Sequence, residues 1–374
     1  MIDAVCVAGP VDFPFDGAIV DDDAVAAWTW MVRDLASDLI DIEVVDDTPQ
    51  SLAALESLMP DLLARAKAAL GEAATSPEAA RRLKTQLGSE EAAERLPAVV
   101  TALRCRAILE KAQGFGRAAN GMADEAMLAL ALQSMPLGDA AISPFVMQAA
   151  MGQVAVPARM ITAAIRIAGG ASEAALLRAG LGPLVDAMLA HAQAQLPALS
   201  QLGAFGDMDM ICRAVDRFHR LMRAVTGYVE LSRSGRWAMV AAGLTKAVSE
   251  RVEPKLRDVA PDINKALRRR DGADRLDGDQ ILSALNGIYL LATVRDSRDS
   301  LALNAVFDQV WTQTGQALEI HIERLLTQLR ANPADSIASA RLDAALKIAE
   351  IRFSQEYADV LRRAKDATER RVSP

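Results

Sequence analysis

Aromatic residues make up only 4% of this 374-residue chain, and histidine and cysteine occur three times each. Each scarcity narrows the possibilities. Strands favour aromatic and β-branched side chains, whereas alanine, abundant here, is the best helix former, so the composition predicts an all-α protein. Cys6, Cys105 and Cys212 stand far apart, form no CxxC pair and are odd in number. That argues against a disulfide framework or a structural zinc site and for a reducing compartment. The opening residues, MIDAVCVAGPVDF, have no basic n-region and no long apolar stretch, so no secretory signal is expected. No breaker-free apolar run is long enough to predict a membrane span. These readings together place the protein in the cytoplasm. There is no GxSxG, no P-loop and no GxGxxG after a strand. No cofactor is expected.

What is present is charge, unevenly distributed. The first 61 residues hold 14 acidic side chains and one basic one, Arg33, while the remaining 313 hold 35 acidic and 40 basic. The formal charge of −8 is therefore a −13 segment joined to a +5 body. The overall acidic balance disfavours nonspecific nucleic-acid binding. Hydrophobic residues reach 51%, ample for packed cores, and the alanine-rich style resembles a bacterial protein from a GC-rich genome.

Along the chain, residues 1–20 carry Gly9, Pro10, Pro14 and Gly17 and read as an irregular arm with one short extended piece at Ala4–Ala8. A helix starts near Asp21, where three aspartates suit the positive end of its dipole. Val25, Trp28, Val32, Leu35, Leu39 and Ile42 follow at steps of three and four, the spacing of a buried face. Thr48-Pro49 opens a helix to about Leu70, with a break or kink at Pro60. Thr75 with Glu78 reads as a capping box, and Ser89 opens a helix to about Gln113. Residues 126–206 hold only six charges and are cut by prolines at 136, 144, 157, 183 and 197. Helices apolar nearly all round must be covered, either as a central core layer or by a partner or second copy of the chain. Beyond 206 the helices are longer and more charged: about 207–232, 235–251, 254–270, 278–296, 299–330 and 334–371. The last two are long enough for an antiparallel hairpin of roughly 45 Å at 1.5 Å per residue. The expected architecture is a multi-helix array: an arm at 1–20, an N-terminal helical domain at 21–206 with its charge-poor middle at 126–206, and a long-helix C-terminal bundle at 207–374.

The most specific constellation is a pair of stripes. Asp34, Asp38 and Asp41 are spaced i, i+4, i+7; Arg213, Arg217 and Arg220 repeat that spacing, with Arg223 following. Opposite these arginines run Met208, Ile211, Val215, Phe218, Met222, Val225 and Val229, so the arginines form an outer face. Three readings stand side by side: two solvated surfaces, an acidic segment docked on a basic helix face, or arginines that take phosphate. Exposed pairs contribute about 0–1 kcal/mol each, so docking needs several acting together.

Other clusters read as structural. Arg268-Arg269-Arg270 complements a helix C-terminus and has no aromatic neighbours for stacking. Asp271, Asp274, Asp277 and Asp279 around Gly278 fail the EF-hand spacing and read as a helix connection. His321 lies beside an apolar seam and reads as a hydrogen-bonded core or boundary histidine. Asp216 and His219 lack the second glutamate-x-x-histidine pair of a di-iron bundle. Asp308, Thr312, Gln313 and Gln316 read as a polar helix face. The sequence favours a non-enzymatic adaptor, scaffold or regulator that binds protein partners or a second copy of itself. Two alternatives remain: a helical component or regulator of a secretion or motility assembly, and an all-α enzyme with a metal- or phosphate-binding pocket.

Overall fold

The computed structural model describes residues 1–9, 11–40, 48–200, 207–269 and 275–369. It is a multi-helix array whose only sheet, among the described residues, joins two short strands. The chain divides into two compact units, Met1–Ala194 with Arg220–Ala241 and Gln195–His219 with Ala242–Pro374.

In the first unit the arm is ordered. A 3-10 turn (Asp3–Val5) leads into β1 (Cys6–Val7), which pairs in parallel with β2 (Ile19–Val20), Cys6 opposite Ile19 and Val7 opposite Val20. Of the extended piece expected over Ala4–Ala8, only Cys6 and Val7 form a strand, Ala4 and Val5 lying in the 3-10 turn, and the partner strand was not signalled by the sequence pattern. Gly17 lets the arm lie against the chain before Phe145: a Cβ there would meet the Pro144 carbonyl oxygen at 2.2 Å. The Gln193 amide grips Phe13 at both backbone groups, accepting from its N–H and donating to its carbonyl at 2.9 Å each. Arg236 donates to the Pro14 carbonyl at 2.9 Å and lies over the Phe15 ring.

Helix α1 (Asp21–Trp30) passes directly into a π turn (Met31–Leu35) closed by Ala36 N–H donating to the Met31 carbonyl. The helix therefore ends at Leu35 rather than near Ile42, which lies outside the described residues; its buried side holds Ala27, Trp30, Met31 and Val32, and Ala36 and Ile40 are buried past its end. Val25, expected inside, is 62% exposed, and Trp28, Leu35 and Leu39 are half-buried. The wider π turn inserts an extra residue and shifts the phase that a uniform 3.6-residue period assumes.

Helices α2 (Pro49–Thr75), α3 (Pro77–Leu87) and α4 (Glu90–Arg104) stack beside α1. Thr48 and Ser89 cap as expected, while the α3 cap is Ser76, not Thr75. Pro60 lies inside α2 and does not end it: Leu55, Met59, Leu62 and Ala66 bury a face on both sides of it. The helix expected from Ser89 to Gln113 is broken at Cys105 into α4 and α5 (Arg106–Gly121). The charge-poor stretch forms α6 (Glu125–Gln133), α7 (Ser143–Met151), α8 (Pro157–Ala168), α9 (Glu173–Arg178) and α10 (Gly182–Gln193). Within it α7 packs against α5 and α10 with nearly every residue buried, a core layer as charge depletion requires. Met127 and Leu130 of α6, Val156 before α8 and Leu177 of α9 are exposed exceptions within the stretch.

After α11 (Leu196–Leu199) the helices lengthen. Helix α12 (Met208–Tyr228) buries Ile211, Val215, Phe218, Met222 and Val225, and Val229 is buried just past its end, the expected stripe apart from half-buried Met208. Helix α13 (Arg236–Leu267) is one helix where two were expected, running through Pro254 and Pro261. Val248, Val252, Leu256, Val259 and Ile263 are fully buried along it, and that burial outweighs the one hydrogen bond lost at each proline. Helix α14 (Gly278–Ser297) is capped by Asp277, and α15 (Asn304–Ala331) packs against α16 (Ser336–Arg352) and α17 (Gln355–Glu369). The expected final helix of 334–371 is divided at Phe353. Arg352 explains Gly315 in mid-helix. Its buried guanidinium lies 3.6 Å from the Trp311 ring centroid and donates to the Trp311 carbonyl at 2.5 Å and to Thr314 Oγ1 at 3.2 Å. A Cβ at Gly315 would stand 3.0 Å from its Nη2.

Candidate functional site

The departure of α1 from its expected phase creates the most distinctive surface of the first unit. Because Trp30 and Met31 turn inward, Val25 and Trp28 are left on the open side of the helix. Trp30 is held there by its indole N–H donating to Gln86 Oε1 at 3.3 Å. Across from Val25 and Trp28 stand Leu52 and Leu55 of α2, with Met31, Val99 and Leu103 beneath and Met1, Ile2 and Cys6 of the arm closing one end. The result is an apolar groove of about 660 Å³. Val25 at 62% and Leu52 at 44% exposure put large apolar side chains into solvent. The Trp28 indole N–H makes no hydrogen bond among the described residues.

Asp3 lines this groove, and further carboxylates lie on the helices that form it. Asp3 is almost fully exposed and pairs with the Met1 amino group at 3.0 Å, which holds its carboxyl below the usual range. Asp21 and Asp22 are exposed in the first turn of α1. Glu56 of α2 is paired with Arg106, whose hydrogen bond lowers the carboxyl's pKa. The Cys6 thiol is pushed up to about 11 by burial and by the charges of Asp21 and Asp3, so it stays protonated at neutral pH and is a poor nucleophile.

A second concavity, a cleft of about 430 Å³, lies under the arm. Phe13, Phe15 and Phe145 wall it, and Glu94, Arg95 and Thr101 of α4 face it with Asp23 and Gln193. Arg95 pairs with Asp23 at 3.1 Å. Its size falls in the range of small-molecule sites.

The predicted stripes take the following positions. Asp34 lies in the π turn and pairs with Arg33 at 2.7 Å. Asp38 lies past the helix end, where Arg65 grips both its oxygens at 2.5 and 2.8 Å and lowers its pKa. Asp41 is outside the described residues. The aspartates therefore do not share one helical face, because the helix they were placed on ends at Leu35. The arginines do share the outer side of α12: Arg213, Arg220 and Arg223 are exposed and Arg217 half-buried. Arg213 pairs with Asp209 one turn back, and Arg220 donates to the Ala155 carbonyl at 3.3 Å.

The remaining candidates settle into structural roles. His321 is buried, donates to Asn264 Oδ1 at 2.9 Å, and has its pKa lowered by burial and then by Arg324. His219 Nδ1 meets Ser300 Oγ at 3.0 Å, and His191 donates to the Gln148 carbonyl. Asp308, Thr312, Gln313 and Gln316 all lie on an exposed face. Arg268 and Arg269 follow the end of α13, and residues 270–274 are outside the described set. Among the described residues no three His, Cys, Asp or Glu side chains gather as a metal site, and no helix is long and apolar enough to cross a membrane. Sequence reasoning missed both concavities; the one usable signal for the groove was Val25 and Trp28 at i, i+3, which it assigned to the core. Compared with family models, curated proteins and solved structures, the chain matches none of them.

Proposed function

We propose that this chain is a non-enzymatic helical adaptor or regulator that binds protein partners through its N-terminal unit. The observation that carries the reading is the groove, where Val25 and Leu52 stand exposed beside a half-buried tryptophan whose N–H makes no hydrogen bond among the described residues. Exposed apolar side chains lost to water cost about 25 cal/mol per Å², and a contiguous set of them in a concave site is where a partner gains most by binding. The acidic character of the N-terminal segment and the arginine face of α12 add two surfaces of opposite sign that steer association. Partners in a secretion or motility assembly fall within this reading.

The test is a photo-crosslinking amino acid placed at Val25 or Leu52, with the equally exposed Ile320 of α15 as control. Discrete adducts are expected from positions 25 and 52 and not from 320. Equal labelling at all three positions, or none at any, counts against the reading. The cleft under the arm supports a second reading, a small-ligand pocket, checked by whether Arg95→Ala abolishes a ligand-induced rise in Tm found by screening the full chain.

A further inference from the structure

Resting on the reading of the groove as a protein-binding surface, we infer that its occupant is a partner's amphipathic helix with a cationic polar face. The groove's lining comes mainly from helices α1, α2 and α4, and strand β1 contributes only Cys6, so an extended segment would find a single strand residue to pair with. What it offers is side chains in helical register. Val25 and Trp28 are three residues apart on one wall, and Leu52 and Leu55 are three apart on the other. Such rows accept apolar anchors at i, i+3 or i+4, and i+7 from a third helix. Trp28 has a broad apolar face and an N–H that makes no hydrogen bond among the described residues and can donate to a partner's carbonyl or side-chain acceptor, the chemistry that concentrates binding energy.

The polar face is set by charge. Residues 1–31, which form the arm and α1, carry six carboxylates and no lysine or arginine. The nearby cations are already engaged: the Met1 amino group with Asp3 and Arg106 with Glu56. Asp21 and Asp22 are exposed at the start of α1, where the helix dipole offsets only about half a charge. A helix with lysines or arginines on its polar face meets these carboxylates as its apolar face enters the groove; one with glutamates there is repelled. Exposed pairs contribute little affinity individually, so the apolar anchors hold the complex and the charges select it.

The experiment uses the full chain and three fluorescently labelled peptides of about 18 residues, long enough for about five helical turns. One is an amphipathic leucine–lysine helix, one the same with glutamate for lysine, and one a scrambled leucine–lysine sequence with no apolar face. Anisotropy is expected to show the cationic amphipathic peptide binding at least about tenfold more tightly than either control. Val25→Asp and Trp28→Ala should each weaken it about tenfold, and Asp21→Asn with Asp22→Asn should weaken it severalfold and flatten its salt dependence. Val25 and both aspartates are exposed, and unchanged melting of these variants confirms that the fold persists. Equal binding of the scrambled peptide overturns the helix, and equal or tighter binding of the glutamate peptide overturns the charge. If all peptides fail while position 25 still crosslinks a partner, this inference falls and the adaptor reading stands. If crosslinking fails as well, both fall.

Discussion

Two residues show how burial sets measurable behaviour in this fold. His321 lies against Asn264 with its pKa lowered, first by burial and then by Arg324. The folded state therefore binds a proton less readily than the unfolded chain does. Where the unfolded histidine titrates, near pH 6.5, the unfolded state takes up more protons, so stability is full above that pH and declines as pH falls toward the folded value. Denaturant unfolding at pH 8 and pH 5.5 should show this loss, and His321→Gln, which keeps a donor for Asn264 but does not titrate, should reduce it. An unchanged pH profile in that variant would place the loss elsewhere. Gln148 is the opposite case. Its side chain is 1% exposed, and neither Oε1 nor Nε2 has a hydrogen-bond partner among the described residues. A buried unsatisfied amide costs about 1–3 kcal/mol, and methionine has nearly the same length and no such demand. Gln148→Met is expected to raise stability by about 1 kcal/mol, read as a higher urea midpoint at unchanged slope. A lower midpoint would mean that the amide is satisfied in solution.

At the scale of elements, the arm is the piece whose order the composition hid. Glycines and prolines marked residues 1–20 as irregular, and most of them do lack regular structure. What fixes them comes from far along the chain: Gln193 on Phe13 and Arg236 on Pro14 and Phe15. Contacts across that separation leave no periodic trace, so no local pattern could reveal them. Gln193→Leu fills similar space but strips both Phe13 backbone groups of their partner, and is expected to cost about 2 kcal/mol. Hydrogen exchange at the amides of residue 13 and residues 15–18 should quicken while that of α8, which packs on α6 and α9, stays slow. Gly17→Ala, which would drive a Cβ into the Pro144 carbonyl, should quicken the same amides. Unchanged exchange in both variants would show that the arm is held by its apolar contacts alone. The first helix failed for a different reason: a π turn changes the period in mid-element, and a count of threes and fours does not register one extra residue. That slip moved Val25 and Trp28 from an expected core to the groove.

For the whole molecule, the all-α class, the buried stripe of α12 and the core role of the charge-poor middle were legible, because each rests on composition or on an unbroken 3.6-residue period. Prolines misled where burial was deep: Pro60 was read as a break or kink and Pro254 as a helix start, and both lie inside helices. The charge pattern drew a boundary at residue 206, whereas the chain's compact units interleave, with 220–241 belonging to the first. Within that unit the later segment is tied in by several kinds of bond. Glu230 N–H donates to the Ala171 carbonyl at 2.9 Å, and Ser232 N–H donates to Glu173 at 3.2 Å. Trp237 and Arg236 both donate to Asp186 Oδ1, at 2.9 and 2.8 Å. Asp186 is raised in pKa by its burial, an effect these two donors oppose; without them it would be a desolvated carboxylate with no partner of opposite charge. A fragment of residues 1–206 also uncovers the α10 surface against which Trp237 lies. It is therefore expected to unfold over a broad range, without a cooperative thermal transition. A fragment of residues 1–241 restores the missing segment and should melt more cooperatively, though its α12 and α13 keep apolar faces that the full chain covers. Calorimetry on the two fragments and the full chain decides the matter: a sharp transition in 1–206 would show that the first unit completes its core before residue 207.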